Sequence, residues 1–329
     1  MSNNKLSIIL PAYNVTDTIE RAIDSALKLS DILDKIIIVD DHSTDNLKEF
    51  LTKKYGTNNS KLKYILGRGK GAGDARNTGL SYVECQYVMF LDGDDFLSNQ
   101  DKIRSHFLQI DDEDIIVFSK NIQSDGELNR EQAIYSNLGL EKQNEYDSGP
   151  VSKIFKVKTI REANAVFPSN IKIGEDMVFN LKVILSSKNI KIINQPIYNV
   201  TYNVHSITRS IDFYSFYSDR INLTREVLKI LMKTDYENFI NSFILKNYVM
   251  IVVGSSRTKQ FDINIANMLV NFKSQFNVSF YRGLPFLKEY FGLLKTCVVI
   301  LAWFFPRIGV RIFRFIYLLF RNKKKIDII

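Results

Sequence analysis

Phe90-Leu91-Asp92-Gly93-Asp94-Asp95 places three aspartates directly after a hydrophobic run, which makes it one of the most informative segments of the chain. Residues 87–91 are hydrophobic throughout and predict a buried strand. Carboxylates crowded at the C-terminal end of a parallel strand repel one another unless a cation or a polar ligand lies among them. A divalent ion that also binds a diphosphate would relieve that repulsion. The alternative is a solvated Asp-rich turn.

Short apolar runs alternate with stretches of helical periodicity on both sides of this motif. The periodicities predict strands at residues 6–10, 36–39, 62–66, 87–91 and 115–119, and helices at residues 16–29, 46–55 and 74–84. This order favours an α/β fold in which helices flank a mostly parallel sheet.

The second half of the chain is patterned differently. Residues 121–143 are polar and weakly patterned, which indicates an irregular excursion or an acceptor-side loop. Residues 149–210 are interpreted as a further αβ block, with a helix at residues 175–185 and strands near residues 190–197 and 198–204. From residue 213 onward the pattern is mostly helical.

Two further strand ends carry groups that suit a nucleotide. The first predicted strand ends in Pro11-Ala12-Tyr13-Asn14, and the second ends in Asp40-Asp41-His42-Ser43. Ligands of doubly wound sheets bind at the carboxyl ends of the strands, so Tyr13 would lie against a base and Asp41 would accept from an imide or a ribose hydroxyl. The alternative is that Tyr13 covers the sheet edge and Asp41 caps the next helix, for which Ser43 and Asp45 are nearer candidates.

A glycine-rich basic loop, Gly67-Arg68-Gly69-Lys70-Gly71-Ala72-Gly73-Asp74-Ala75-Arg76-Asn77, follows the third predicted strand. Its glycines permit close approach of the backbone to a ligand, and Arg68, Lys70 and Arg76 would neutralise phosphate charge. Neither a Walker loop nor a dinucleotide fingerprint is present in it, which disfavours ATPases and dehydrogenases. A surface turn without a ligand is the alternative.

In this order the segments resemble glycosyltransferase family 2, the inverting enzymes of the GT-A fold, in their bacterial cell-surface polysaccharide form. The resemblance covers about residues 5–210. Its pieces are residues 7–14, 38–45, 73–80 and 90–95, followed by Gly149-Pro150-Val151-Ser152-Lys153-Ile154-Phe155, Gly174-Glu175-Asp176-Met177 and Ser206-Ile207-Thr208.

The resemblance implies a role for each matching residue. Asp176 is implied as the catalytic base, with Glu175 beside it. Asp94 and Asp92 are implied as ligands of Mn²⁺ or Mg²⁺. The implied donor-binding residues are Pro11, Ala12, Tyr13, Asp41, Arg76, Asp92 and Asp95. The alternative for Glu175 and Asp176 is that they are helix N-terminal acids favoured by the macrodipole.

The expected function is transfer of one sugar, of hexosyltransferase type, from a UDP-linked donor to a glycan or lipid-linked glycan. Processive members of the family usually carry a Gln-x-x-Arg-Trp motif, whereas the single tryptophan here, Trp303, lacks it. A sugar-phosphate nucleotidyltransferase is one alternative, although it would need a Gly-rich loop after the first strand. A catalytically silent, membrane-bound sugar-nucleotide binding protein is the other.

Positive charge is concentrated near the C-terminus. Residues 282–325 hold ten Lys or Arg and one acid, Glu289, whereas the whole chain has a net charge of only +8. This distribution disfavours nucleic acid as a partner. Arg307, Arg311, Arg314 and Arg321 follow Pro306 at helical spacing, which predicts a basic amphipathic helix on an anionic membrane. The alternatives are a helix packed on the catalytic domain and a tilted membrane span.

The expected organisation is a GT-A catalytic domain at residues 1–212, a helical region at residues 213–284 and a membrane-associating tail at residues 285–329. The segment before the first predicted strand, residues 1–5, is short and polar, unlike a secretory signal. The two cysteines show no metal-ligand spacing. The expected location is therefore peripheral, on the cytoplasmic face of the cell membrane.

Overall fold

The computed structural model describes residues 4–120, 122–141, 146, 149–201, 212–256, 263–276, 280–291, 293–309 and 311–312. The chain divides into two compact units. The first contains Met1–Gly139 and Gln143–Ser206, and the second contains Leu140–Lys142 and Ile207–Ile329. The three sequence domains proposed above stay a prediction.

The first unit is built on an eight-stranded sheet. Its strands are β1 (Leu6–Ala12), β2 (Leu33–Asp40), β3 (Leu62–Leu66), β4 (Tyr87–Phe90), β6 (Ile115–Ser119), β7 (Gly126–Glu127), β8 (Lys153–Lys156) and β9 (Ile190–Asn194). They lie in the order β3-β2-β1-β4-β8-β6-β9-β7. A small second sheet pairs β5 (Phe96–Leu97) with β10 (Tyr198–Asn199).

Parallel pairing dominates the large sheet, as expected. The pairs β1–β2, β1–β4, β2–β3 and β6–β9 are parallel, whereas β8 runs antiparallel between β4 and β6, and β7 runs antiparallel to β9. The parallel strands β1, β2 and β4 therefore end at one edge. That edge carries Tyr13, Asp41 and Asp92.

Seven helices accompany these strands in the described part of the first unit. They are α1 (Ile19–Leu27), α2 (Leu47–Tyr55), α3 (Ala72–Leu80), α4 (Gln100–Leu108), α5 (Arg130–Asn137), α6 (Val157–Glu162) and α7 (Glu175–Ser186). Side chains of β1 alternate between two faces, as in any strand. Leu6, Ile8 and Leu10 pack with α1 and α4 in one core cluster, whereas Ile9 faces α3.

Gly79 sets how closely α3 approaches β1. A Cβ atom at this position would lie 2.5 Å from the Cγ2 atom of Ile9. Only glycine allows so short a separation between the helix and the strand. The helix that carries Arg76 is therefore held tightly on the sheet.

The polar excursion predicted at residues 121–143 was wrong. That segment contains β7 and α5, and the Asn129 side chain caps α5 by accepting from the N–H of Gln132. Ala133 and Ile134 are fully buried, so tertiary packing stabilises a helix that the hydrophobic periodicity of this segment does not predict. The cap of α2 was also assigned wrongly, because Asn46, in the left-handed conformation, holds the N-cap position.

The second unit is helical, as expected. Its described helices are α8 (Phe213–Leu231), α9 (Phe239–Ser256), α10 (Ile263–Gln275), α11 (Phe280–Phe291) and α12 (Leu293–Phe304). Trp303 is only 6% exposed and packs edge-on against Tyr248, with ring centroids 4.8 Å apart. The ring of Trp303 therefore belongs to the core of the helical unit.

Candidate active site

The acidic turn, residues 92–95 just after β4, folds back on itself. The N–H of Asp95 donates to the carbonyl of Asp92 at 3.1 Å. Gly93 sits so close to the end of β1 that a Cβ atom there would lie 3.3 Å from the carbonyl oxygen of Pro11. The turn is thereby pressed against the first strand, and Asp92 and Asp94 both stay partly exposed.

Asp95 is the buried member of the turn, at 6% exposure. Its Oδ2 accepts from the hydroxyl of Tyr198 at 2.8 Å, and its Oδ1 accepts from the N–H of Thr201 at 2.7 Å. Burial raises the pKa of Asp95, and these two hydrogen bonds oppose that rise. Asp95 therefore fastens the acidic turn to β10 and the residue just beyond it.

Tyr198 also contacts the start of the turn. Its hydroxyl oxygen accepts from the N–H of Asp92 at 3.2 Å while it donates to Asp95. Burial raises the pKa of Tyr198 well above its ordinary value, so the hydroxyl keeps its proton. A second brace comes from Arg21, whose Nη2 donates to the carbonyl of Asp94 at 2.9 Å and to the hydroxyl of Thr201 at 2.5 Å.

Arg76 connects the acidic turn to the second acidic motif, which is Glu175 and Asp176 at the start of α7. Its Nη2 lies 2.7 Å from Oδ1 of Asp92, and its Nη1 lies 3.6 Å from Oε1 of Glu175. The guanidinium lies 5.5 Å from the ring centroid of Phe167 and is almost completely buried. Burial acts to lower the pKa of Arg76, but the charges of Asp92 and Glu175 outweigh it and raise the pKa.

Glu175 and Asp176 form the first turn of α7, which Gly174 starts in a positive-φ conformation. Oδ1 of Asp176 accepts from the N–H of Met177 at 2.7 Å. Burial, followed by the charge of Asp176, raises the pKa of Glu175 to about 7, although Arg76 opposes this. The helix N-terminus favours negative charge here, so both acids are held beside the buried cation.

A cluster of four phenylalanines underlies these charges. Phe167 and Phe179 stack with ring centroids 4.2 Å apart, and Phe90 and Phe155 pack edge-on around them. Asn77 fixes the backbone of Phe167 by donating to its carbonyl and accepting from its N–H. The cluster excludes water beneath Arg76 and strengthens its interactions with the carboxylates.

Asp41 holds the glycine-rich loop. Its Oδ2 accepts from the N–H of Gly71 at 2.7 Å, and its Oδ1 accepts from the N–H of Lys70 at 3.2 Å. Arg68 forms an ion pair with the buried Asp74. The loop therefore lies at the carboxyl end of β2, and α3 begins within it, at Ala72, two residues earlier than predicted.

The segment after β1 divides into buried and exposed parts. Pro11 and Ala12 are buried in register with β2, opposite Val39 and Asp40. Tyr13, which follows the strand, is 53% exposed. Of the predicted base contacts, only the Tyr13 side chain presents a broad surface to solvent.

The structure therefore gathers Arg76, Asp92, Asp95 and Glu175 at one edge of the sheet, next to the loop that Asp41 holds. Sequence reasoning missed the braces made by Tyr198, Thr201 and Arg21, which lie far apart in the chain. The position of Tyr198, at the start of the strand predicted near residues 198–204, was the only available signal. Residues 206–208, which resemble the end of the family's catalytic domain, lie outside the described part.

Comparison with known protein families gives one domain match. The family described as Glycosyl transferase family 2 matches residues 7–167. This range contains the strand ends with Tyr13 and Asp41, the glycine-rich loop and the acidic turn. It ends before α7.

Two curated relatives illustrate the similarity. A poly(ribitol-phosphate) beta-glucosyltransferase of Bacillus spizizenii is 29% identical over 206 residues, which cover 57% of this chain and 31% of that protein. The poly(ribitol-phosphate) beta-N-acetylglucosaminyltransferase TarS of Staphylococcus aureus is 24% identical over 268 residues, covering 79% of this chain and 46% of that protein. The chain thus spans less than half the length of either relative.

Solved structures agree on the fold. S. aureus TarS 1–349 in complex with UDP-GlcNAc superposes with a TM-score of 0.66 at 19% identity, covering 99% of this chain and 94% of that one. The mannosyltransferase PcManGT from Pyrobaculum calidifontis, in complex with GDP-Man and Mn²⁺, gives a TM-score of 0.50 at 12% identity, covering 93% and 88%. The chain therefore has the expected GT-A fold, and its residues 7–167 match the family described as Glycosyl transferase family 2.

Proposed function

We propose that this chain is an inverting glycosyltransferase that moves one sugar from a UDP-linked donor to a glycan or lipid-linked glycan acceptor in cell-surface polysaccharide synthesis. The observation that carries the proposal is the position of Arg76, between Asp92 of the acidic turn and Glu175 of the second acidic motif. Inversion requires one motif that binds the donor and one that activates the acceptor. Arg76 contacts Asp92 of the first and Glu175 of the second, and so holds the two motifs together.

Donor binding is assigned to the carboxyl ends of β1, β2 and β4. The exposed ring of Tyr13 is available to lie against the base. Asp41 already orders the loop and retains lone pairs with which to accept from a uracil imide or a ribose hydroxyl. Pro11 and Ala12 shape the floor of this subsite from within the sheet. The TarS structure that contains UDP-GlcNAc supports a UDP-linked donor.

The base is assigned to Asp176, which would take the proton from the acceptor hydroxyl as that oxygen attacks the anomeric carbon. The N-terminus of α7 favours the ionised form of this carboxylate. Glu175 orients Arg76 and has a pKa near neutrality, so it carries a variable share of negative charge beside the base. Arg76 in turn attracts the donor diphosphate into the site.

Asp94 and Asp92 would hold Mn²⁺ or Mg²⁺, because both offer the carboxylate oxygens that such ions prefer. Within the described residues, no group of three or more His, Cys, Asp or Glu is placed to hold a metal ion. Two protein carboxylates fit an ion that also takes oxygens from the diphosphate. When bound, such an ion supplies Lewis-acid stabilisation of the departing diphosphate. The Mn²⁺ in the structure of PcManGT supports this assignment.

The acceptor and the location are proposed from the relatives and from charge. The two curated relatives are named for poly(ribitol-phosphate), which supports a cell-surface polymer as the acceptor class. The basic C-terminal residues support peripheral attachment to the cytoplasmic face of the membrane, whose surface is anionic. None of the described helices is both long and apolar enough to span a bilayer.

A donor-hydrolysis screen tests the proposal. Purified chain is incubated with UDP-, GDP- and dTDP-linked sugars, with Mn²⁺, with Mg²⁺ and with chelator. The proposed function predicts release of UDP from one UDP-sugar, at a rate that falls when the metal is removed. Turnover of GDP- or dTDP-sugars alone would contradict the donor assignment, and undiminished turnover in chelator would contradict the metal assignment.

A further inference from the structure

We infer that Phe304, Phe305 and Ile308 form a patch that inserts into the surface of an anionic bilayer, with Arg307 and Arg311 against the lipid headgroups. These five residues are called the lipid patch below. The inference rests on the proposed peripheral membrane location, which it deepens by naming the residues that make contact. It does not depend on the sugar-transfer reaction.

The apolar members of the lipid patch are exposed. Phe304 is 48% exposed, Phe305 is 57% exposed and Ile308 is 53% exposed. The N–H of Ile308 donates to the carbonyl of Phe305 at 3.0 Å, so a single turn brings these residues together. Single exposed apolar residues are common on proteins, but three large ones within five positions mark an interaction surface.

The residues just before the patch are firmly packed. Val299 and Ala302 are fully buried, and the ring of Trp303 lies against Tyr248. The ammonium of Lys273 donates to the carbonyl of Trp303 at 2.8 Å. The helical unit therefore satisfies its own apolar packing with these side chains. The exposed phenylalanines extend from a fixed base.

Cations surround the apolar side chains. Arg307 and Arg311 are both exposed, and Nζ of Lys273 lies 6.0 Å from the ring centroid of Phe304. Residues 282–325 carry a net charge of +9, so the rest of the chain sums to −1. An anionic surface is therefore the partner that charge complementarity favours, and lipid is the anionic surface that also accepts apolar side chains.

The length of α12 fits contact of the lipid patch with the bilayer surface better than it fits a helix that crosses the bilayer. The helix α12 has 12 residues, or about 18 Å at the usual rise per residue, whereas a bilayer core is about 30 Å thick. A soluble phosphate polymer could engage the arginines, but it would gain nothing from the exposed phenylalanines. Lipid is the occupant that uses both halves of the patch.

Vesicle sedimentation of the full chain tests the inference. Wild type should bind phosphatidylglycerol-rich vesicles much more than pure phosphatidylcholine vesicles. The triple variant Phe304→Ser, Phe305→Ser and Ile308→Ser should lose about tenfold or more in partitioning, because its apolar insertion is removed. The matched control changes Met232→Ser and Val270→Ser, which are 63% and 53% exposed in the same unit, and should bind as wild type does.

Two further arms separate the causes. Arg307→Gln with Arg311→Gln should weaken binding mainly at low salt, because screening already reduces the electrostatic part at high salt. Soluble polyphosphate serves as a polyanion without an apolar phase. Sedimentation of the triple-serine variant at the wild-type level would overturn the lipid patch. Lipid binding that soluble polyphosphate abolishes but the serine substitutions leave unchanged would also overturn it. Absence of vesicle binding by wild type would instead refute the membrane location itself.

Discussion

Arg76 donates from Nη2 to Oδ1 of Asp92 across 2.7 Å, which ties α3 to the acidic turn after β4. Both groups come from segments that the sequence marks as parts of a nucleotide site. The pair is supported from below by Phe167 and from the side by Glu175. Arg76, the cation that would bind the donor diphosphate, is thus already positioned by Asp92 and Glu175.

Substitution of Arg76 should separate charge from geometry. Arg76→Lys keeps the cation but cannot contact Asp92 and Glu175 with two separate N–H groups, so kcat/KM for the UDP-sugar should fall about 10- to 100-fold. Arg76→Ala should cost more, because two carboxylates lose their shared cation. Steady-state kinetics with thermal melting measure both effects. Arg104→Ala, at a partly exposed ion pair with Asp31, is the control and should keep its activity.

Stability should depend on pH through Glu175. Its pKa is about 7 in the folded chain against an ordinary value of 4.5, so the folded state binds more protons than the unfolded state between these values. Stability from this group is therefore full at low pH and declines as pH rises from about 4.5 to about 7. The variant Glu175→Gln lacks this loss, so its melting temperature relative to wild type should rise across that window. A constant difference from pH 5 to pH 8 would argue against the raised pKa, and the exposed Glu131→Gln serves as the control.

Removal of the Tyr198 hydroxyl should loosen the acidic turn. Tyr198→Phe leaves one oxygen of buried Asp95 without its donor and the N–H of Asp92 without its acceptor, which costs about 1–3 kcal/mol of stability. Because the turn carries Asp94, the concentration of Mn²⁺ needed for half-maximal activity should rise. A loss of stability with an unchanged metal requirement would mean that the brace serves folding alone.

Gly79→Ala tests the close packing of α3 on β1. The added methyl would lie 2.5 Å from Ile9, and relief of that clash should cost about 1–3 kcal/mol in urea unfolding. Gly126→Ala is the matched control, because a Cβ atom there meets nothing within 4 Å. Equal stability of the two variants would show that α3 can move away from the sheet without cost.

The fold could be predicted wherever local pattern and tertiary role coincide. The strands β3 and β6 have the predicted bounds. The hydrophobic run of β6 is buried along its whole length, whereas β3 lies at the edge of the sheet and is only partly buried. The antiparallel strand β8 was not predicted as a strand, because it has only four residues and begins and ends with lysine. The helix α5 was missed because its burial, rather than its periodicity, stabilises it.

The candidate site shows the same division. Asp92, Arg76 and Glu175 belong to short motifs, so the sequence could nominate them one by one. Their mutual contacts could not be predicted, because residues 76 and 175 are far apart in the chain and meet where the first residue of α7 approaches α3. The cations of the tail could be counted from the sequence, but Arg314, Arg321 and residues 323–325 lie outside the described part.

One site is proposed to combine a donor-binding carboxylate at Asp94 with a base at Asp176. Calorimetry of UDP-sugar binding and assays of UDP release, in Asp94→Ala and Asp176→Asn separately, test this pairing. Asp94→Ala should weaken binding of the donor in Mn²⁺. Asp176→Asn should bind the donor normally but lose transfer about 100-fold or more. Transfer at the wild-type rate by Asp176→Asn would contradict the assignment of Asp176 as the base.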